Sequence, residues 1–207
     1  KSELGINVQQ QINTATGSLL IPNYKSNDAG IYVIEQLDKY RYSLEGGLRF
    51  DIKHTSVFMW QNNKITNPQH YYNNFSSNLG ARYNFSEKFN MNVNAGTAWR
   101  PPSMNELYSN GLHHGTASIE TGDSTLKKET AFKTASSLSF DNNNFNISLT
   151  VYHNTIYNYI YLHPVLTPVL TVKGAFPSFN FIQANANLNG GEFDFDLKMN
   201  NSITLLS

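Results

Sequence analysis

The chain has 207 residues, enough for one sizeable domain, and its charges balance at zero, so no basic surface marks a nucleic-acid binder. Without cysteine it can build neither a disulfide framework nor a Cys-ligated zinc site. Charged residues make up only 14% against about 25% in an ordinary soluble domain, while aromatics reach 13%.

Taken in order, the segments alternate with period two, the mark of strands with one apolar and one polar face. The start, KSELGINVQQQ, has no basic head and apolar core, so it does not read as a signal peptide; residues 4–12 alternate. A long connection is expected over 13–29, then a short turn near Asp38 to Tyr40. RYSLEGGLRFDI places Tyr42, Leu44, Leu48, Phe50 and Ile52 opposite Arg41, Ser43, Glu45, Arg49 and Asp51. A second long connection, 54–73, carries His54 and His70. Phe75, Leu79, Ala81, Tyr83 and Phe85 then oppose Ser76, Asn78, Arg82 and Asn84, and only Ser86-Glu87-Lys88 separates them from Phe89, Met91, Val93, Ala95 and Trp99. Arg100-Pro101-Pro102 stops that strand, since proline cannot donate to a ladder, and opens a third long connection, 101–128. Strand patterns return at 132–140 and 145–151 around the turn Asp141–Asn144. A fourth long connection covers 158–184. The alternation changes phase at Gly190-Gly191, which predicts a bulge, and a last turn near Lys198–Asn201 leads into an incomplete SITLLS.

Short and long connections therefore alternate, as in outer-membrane barrels with short periplasmic turns and long outer loops. Aromatics bracket strands of about ten residues, which at about 3.3 Å per residue and a 40° tilt span roughly 25 Å. Phe85, Phe89, Phe140 and Phe145 would form the periplasmic rim; Phe75, Trp99 and Phe132 would form the outer one. The polar face, with Glu45, Arg49, Asp51, Arg82, Lys133, Glu192, Asp194 and Asp196, would face a lumen. A soluble β-sandwich binding module would give the same alternation and remains an alternative, as does a passive pore. The expected fold is all-β: an antiparallel up-and-down transmembrane barrel in one domain over 1–207, with about nine strands. That number is odd and the last strand is unfinished, so the chain is expected to be part of a larger barrel.

The run WRPPSMNELYSNGLHHGTASIETGDSTLKKET resembles the barrel domain of TonB-dependent outer-membrane receptors. The elements that carry the likeness are Arg100-Pro101-Pro102, Glu106-Leu107-Tyr108, Gly111-Leu112-His113 and Gly122-Asp123 through Leu126 to Glu129. IPNYKSNDAGIYVIEQ, LEGGLRFD, YHNTIYNYIYLHP and FPSFNFIQANANLNGGE are similar to the family too. The resemblance implies a segment of a 22-stranded barrel in the bacterial cell outer membrane. Its partners would be membrane lipid, a nutrient cargo at the outer loops, and the TonB system acting through a plug domain that this chain lacks. It also lacks a TonB-contacting box and a final strand ending in an aromatic residue. Uptake, not catalysis, is implied, and GxSxG, HExxH, GxGxxG and P-loop motifs are all absent. No cofactor is expected.

Candidate ligand-binding residues in the outer loops are Arg100, His113, His114 and Glu120. For a metal, the candidates are His113, His114 and Asp123, because neutral imidazole beside carboxylate suits zinc, copper or haem iron arriving as cargo. Adjacent residues on extended backbone point to opposite sides, so one histidine of the pair would face away. Loop histidines without a ligand are the competing expectation.

Overall fold

A computed structural model describes residues 1–17, 19–61, 63–200 and 203–205. Its long strands are β1 (Ser2–Asn13), β2 (Asn23–Asp38), β3 (Tyr42–Gln61), β5 (Gln69–Asn84), β6 (Phe89–Arg100), β9 (Glu129–Asp141), β10 (Phe145–Thr171) and β11 (Gly174–Asn200). Shorter pieces are β4 (Lys64–Thr66), β7 (Asn110–His113), β8 (Ser118–Thr121), β12 (Ile203–Leu205) and one helical turn, α1 (Met104–Tyr108). The long strands pair as antiparallel neighbours in chain order from β1 to β11. The hairpin β7–β8 adds to the far edge of β11 in parallel, Ser178 opposite Ile119, while β12 joins β11 lower down. Among the described residues the sheet does not close.

Pairing register fixes the two faces. Leu4, Val33, Leu48 and Ser77 share one row, and Ile6, Ile31, Phe50 and Phe75 the next. Most of these side chains stand exposed on the sheet surface: Leu4 is 73% exposed and Phe75 61%. A contiguous apolar surface of this extent has no place in water. It fits a lipid-facing band, for which a tilted strand needs roughly 9–11 residues. Following the same registers, the eight charged residues assigned to the polar face all fall on the opposite side. At the short-turn end, Phe85 stacks on Phe89 (5.0 Å), Phe140 on Phe145 (5.7 Å), and Phe145 lies 6.4 Å from Phe195, forming the inner rim.

Four expectations need correction. The connections drawn at 54–73 and 158–184 are largely strand, and that at 13–29 becomes strand from Asn23: β3 runs on to Gln61, β5 starts at Gln69, and β10 and β11 meet at residues 172–173. Above the lipid band the outward side chains turn polar, so the apolar alternation ends while the ladder hydrogen bonds continue. Second, the register across Gly190-Gly191 is unbroken. A Cβ at Gly190 would lie 2.3–2.7 Å from the Tyr152 ring; glycine lets that ring lie flat across the sheet. Third, the bulge sits instead between Ile156 and Tyr159, where Asn158 adopts φ 56° and re-aims the upper half of β10. Fourth, Trp99 does not join the outer rim with Phe75 and Phe132. Its indole N–H donates to Asp51 on the polar face (3.4 Å), and Lys128 Nζ lies 5.7 Å from its ring centre. The expected turn at Lys198–Asn201 reaches beyond the described residues, as do parts of SITLLS; β12 lies within the latter.

Candidate ligand-binding region at the outer end

The 101–128 segment is folded, not a free loop. Pro101-Pro102 ends β6, and Ser103 opens α1, whose third residue, Glu106, reaches back to accept a hydrogen bond from the Ser103 backbone N–H (2.7 Å). Arg100 holds both ends of the excursion. Its Nη1 donates to Glu106 (2.8 Å), and its Nε and Nη2 fork onto Glu129 (3.0 and 2.8 Å), the first residue of β9. Glu129 Oε1 also accepts from the Ile160 backbone N–H (2.6 Å), just past the bulge in β10. Burial pushes the Glu106 carboxyl up. The Arg100 guanidinium and the Ser103 donors outweigh it, holding the group below its ordinary range. The hydrogen bonds to Glu129 and Glu106 raise Arg100 correspondingly.

Beneath this fork lies the one buried apolar cluster of the described residues: Val57, Met104, Leu107, Leu126 and Ile160, with Tyr24, Met59, Tyr108 and Phe181 against it. The segment returns through Gly122, whose N–H donates to Ser109 (2.7 Å) while Asp123 N–H donates to Glu106 (2.9 Å). A Cβ at Gly122 would fall 2.5 Å from the Tyr108 nitrogen and 2.6 Å from the Leu107 carbonyl carbon, so backbone meets backbone and only glycine fits. Gln183 then clamps the Lys127 peptide from β11, accepting from its N–H (2.9 Å) and donating to its carbonyl (2.7 Å).

The sequence candidates divide accordingly. Arg100 is engaged in ion pairs with its own chain. Asp123 accepts from the Thr125 N–H and hydroxyl (2.8 and 2.7 Å) in a turn. His113 and Glu120 are brought together across the β7–β8 hairpin, Nδ1 to Oε1 at 2.7 Å, with Glu120 only 5% exposed. His114 lies apart and exposed. Among the described residues, no three or more His, Asp or Glu side chains gather as a metal-binding group. His54 and His70 stand on strands, not in a loop. His54 stacks on Tyr71 (4.4 Å) and bonds Gln69 (2.6 Å). His70 Nε2 shares a 2.6 Å hydrogen bond with the Tyr108 hydroxyl. Burial lowers the His70 pKa, raises that of Tyr108, and pushes Tyr72 up to about 12 with help from Tyr108.

Sequence reasoning missed a second feature. A concavity of about 540 Å³ lies between the β1–β2 connection, the β3–β4 hairpin and the end of α1, lined by Leu19, Leu20, Phe58, Trp60, Ile65 and Tyr108 among others. A neighbouring concavity of about 440 Å³ shares Leu19, Leu20 and Asn110 and extends to His114 and Lys173. The available signal was Val57-Phe58-Met59-Trp60, an apolar run in a segment assigned to a polar loop.

The family model described as TonB dependent receptor-like, beta-barrel, matches residues 4–207. Solved structures with the same fold include a double mutant of the Serratia marcescens hemophore receptor HasR in complex with its hemophore HasA and heme. It has a TM-score of 0.77 and 15% identity, over 95% of this chain and 36% of that one. The copper transporter OprC matches at TM-score 0.75 and 14% identity, over 97% and 33%. The FrpB iron transporter from Neisseria meningitidis (F3-3 variant) matches at 0.65 and 16%, over 96% and 30%. The chain thus spans about a third of the length of these structures.

Proposed function

Because the chain belongs to the TonB-dependent receptor β-barrel family, whose members are outer-membrane transport receptors of Gram-negative bacteria, we propose that it supplies wall and ligand-facing outer end to a receptor that captures a scarce nutrient. TonB-coupled energy, acting through a plug domain elsewhere in the protein, would drive import. The observation that carries this reading is the outer end itself. A passive pore has no need of a 28-residue connection (101–128) pinned by an Arg100–Glu106–Glu129 fork over a dedicated core. The pinned segment contributes Tyr108 and Asn110 to the larger concavity and Asn110 to Leu112 to its neighbour, at the outer end of the strands. The cargo classes to test are those of its structural relatives: heme, copper and iron. Zinc, copper or haem would be passengers in this scheme, not resident cofactors, and no catalytic step is assigned.

The experiment is deletion of the full-length gene, followed by growth under separate iron, haem, copper and zinc limitation. Growth should fail on one nutrient and return with the wild-type gene, and short-term uptake of that labelled nutrient by the complemented cells should stop when the proton gradient is collapsed. Equal growth of deletion and parent strains on all four would overturn the proposal. Uptake that survives collapse of the gradient would favour the passive pore.

A further inference from the structure

The inner face and the outer concavities differ sharply in charge. Across the inner face, Arg49 pairs with Asp51 and Lys53 with Asp28 (2.9 Å). Among the described residues the larger concavity has no charged side chain in its lining, and its neighbour adds only Lys173 and a histidine. Its aromatic walls are open, with Trp60 68% exposed. They are not an extension of the lipid band. Between Ile52, the last apolar side chain of that band on β3, and Phe58 come the rows of His54 with Asn27 and Ser56 with Lys25. These rows lift Phe58 and Trp60 clear of the hydrocarbon.

We propose that this concavity, walled by Phe58, Trp60, Ile65, Leu19 and Leu20, binds a neutral aromatic small molecule or the neutral aromatic part of a cargo. The inference rests on the receptor reading and specifies its ligand class. The volume lies within the range of small-molecule sites. Trp60 and Phe58 offer ring faces for stacking. The Tyr108 hydroxyl at the base is already joined to His70, and Asn110 and Asn23 supply uncharged polar contacts. A carboxylate entering there would lose its hydration without gaining a cationic partner.

The test uses the full-length receptor in lipid nanodiscs, titrated calorimetrically with phenazine and with phenazine-1-carboxylate, against empty nanodiscs. Phenazine should bind saturably and roughly tenfold or more tightly than its carboxylate, because the charge must be desolvated. The variant Ile65→Glu should weaken phenazine by a similar factor; Ile65 is largely exposed, so the fold is not at stake. Three results would overturn the inference: no saturable binding above the empty discs, equal or tighter binding of the carboxylate, or unchanged phenazine binding in the variant. Growth of the deletion strain is read in parallel. Nutrient-dependent growth without probe binding removes this inference and leaves the receptor reading. Probe binding without any growth phenotype does the reverse.

Discussion

The wall and the outer end are made from the same strands, yet they dispose of apolar side chains in opposite ways. In the wall, Leu48, Phe50 and Leu79 stand outward and exposed, and the charged residues turn inward. At the outer end, Val57, Leu107 and Ile160 are buried among themselves, and an arginine fork between two carboxylates stands beside them. The first arrangement is stable only where lipid is the solvent for the sheet. The second is an ordinary protein core beside water. One chain therefore contains a boundary between two solvents, and the polar rows of His54 and Ser56 lie along it.

The strongest way to break this comparison is to place a charge on each face at one depth. Leu79 lies midway between the aromatic rims, facing outward, and Asn94, paired with neighbouring Gly80, faces inward. Leu79→Arg should destabilise the full-length barrel by about 2–4 kcal/mol, and Asn94→Arg by much less, read as urea unfolding in vesicles. Equal costs would mean that both faces meet water, and the sandwich alternative would return.

A step down in size is the Arg100 fork. Arg100→Leu leaves Glu106 and Glu129, both mostly buried, without their cation. Losing one partner of a fully buried pair costs about 3–5 kcal/mol; here the guanidinium is 43% exposed, so about 2 kcal/mol is a fairer expectation. The effect should appear as faster hydrogen exchange and protease cleavage within 101–128, with the wall unchanged. Adding Glu106→Gln and Glu129→Gln should recover part of the loss. Uniform loosening of wall and outer end would show that the two regions are not separable. Gly122→Ala should act on the same segment, because its methyl would meet the α1 backbone. Cleavage rates in 101–128 equal to wild type would contradict that close approach.

How much of this was legible in the sequence follows from the same boundary. Strand faces, short turns and the inner aromatic rim could be read because lipid favours an apolar period along most outward positions. Past the rim that constraint lapses. His54, Ser56, Gln69 and Tyr71 still alternate across a ladder, but nothing in their hydropathy announces it, so strands read as loops. Trp99 has the right type and position for a rim residue; only the Asp51 carboxylate two strands away draws it inward. Arg100 looked free for a ligand because its partners lie 6 and 29 residues ahead. His113 and Glu120 were both named, and the structure joins them, yet their seven-residue spacing says nothing of the hairpin that does so. Gly190-Gly191 carried a real signal, a glycine demanded by geometry. It reported a tyrosine lying across the sheet, not an extra residue in the strand.

The smallest expected effect concerns pH, and it sharpens the contrast because only the outer end should respond near neutrality. His70 is kept neutral by burial against Tyr72 and Tyr108, so its folded pKa lies below the ordinary 6.5. Between those two values the opened segment binds more protons than the closed one, so closure grows more favourable as pH rises. The His70 contribution is complete above about 6.5 and is lost as pH falls below it. Glu106, also held below its ordinary pKa, should weaken the same region only further down, below about 4.5. Protease cleavage of 101–128 in the full-length receptor should therefore accelerate modestly from pH 7.5 to 5.5, while global urea stability stays level. His70→Phe, which keeps a ring against Tyr72 and removes the titrating nitrogen, should flatten that profile at the cost of the Tyr108 hydrogen bond. An unchanged profile in the variant would place the response elsewhere. An acid-sensitive wall would mean that lipid does not insulate it as the register implies.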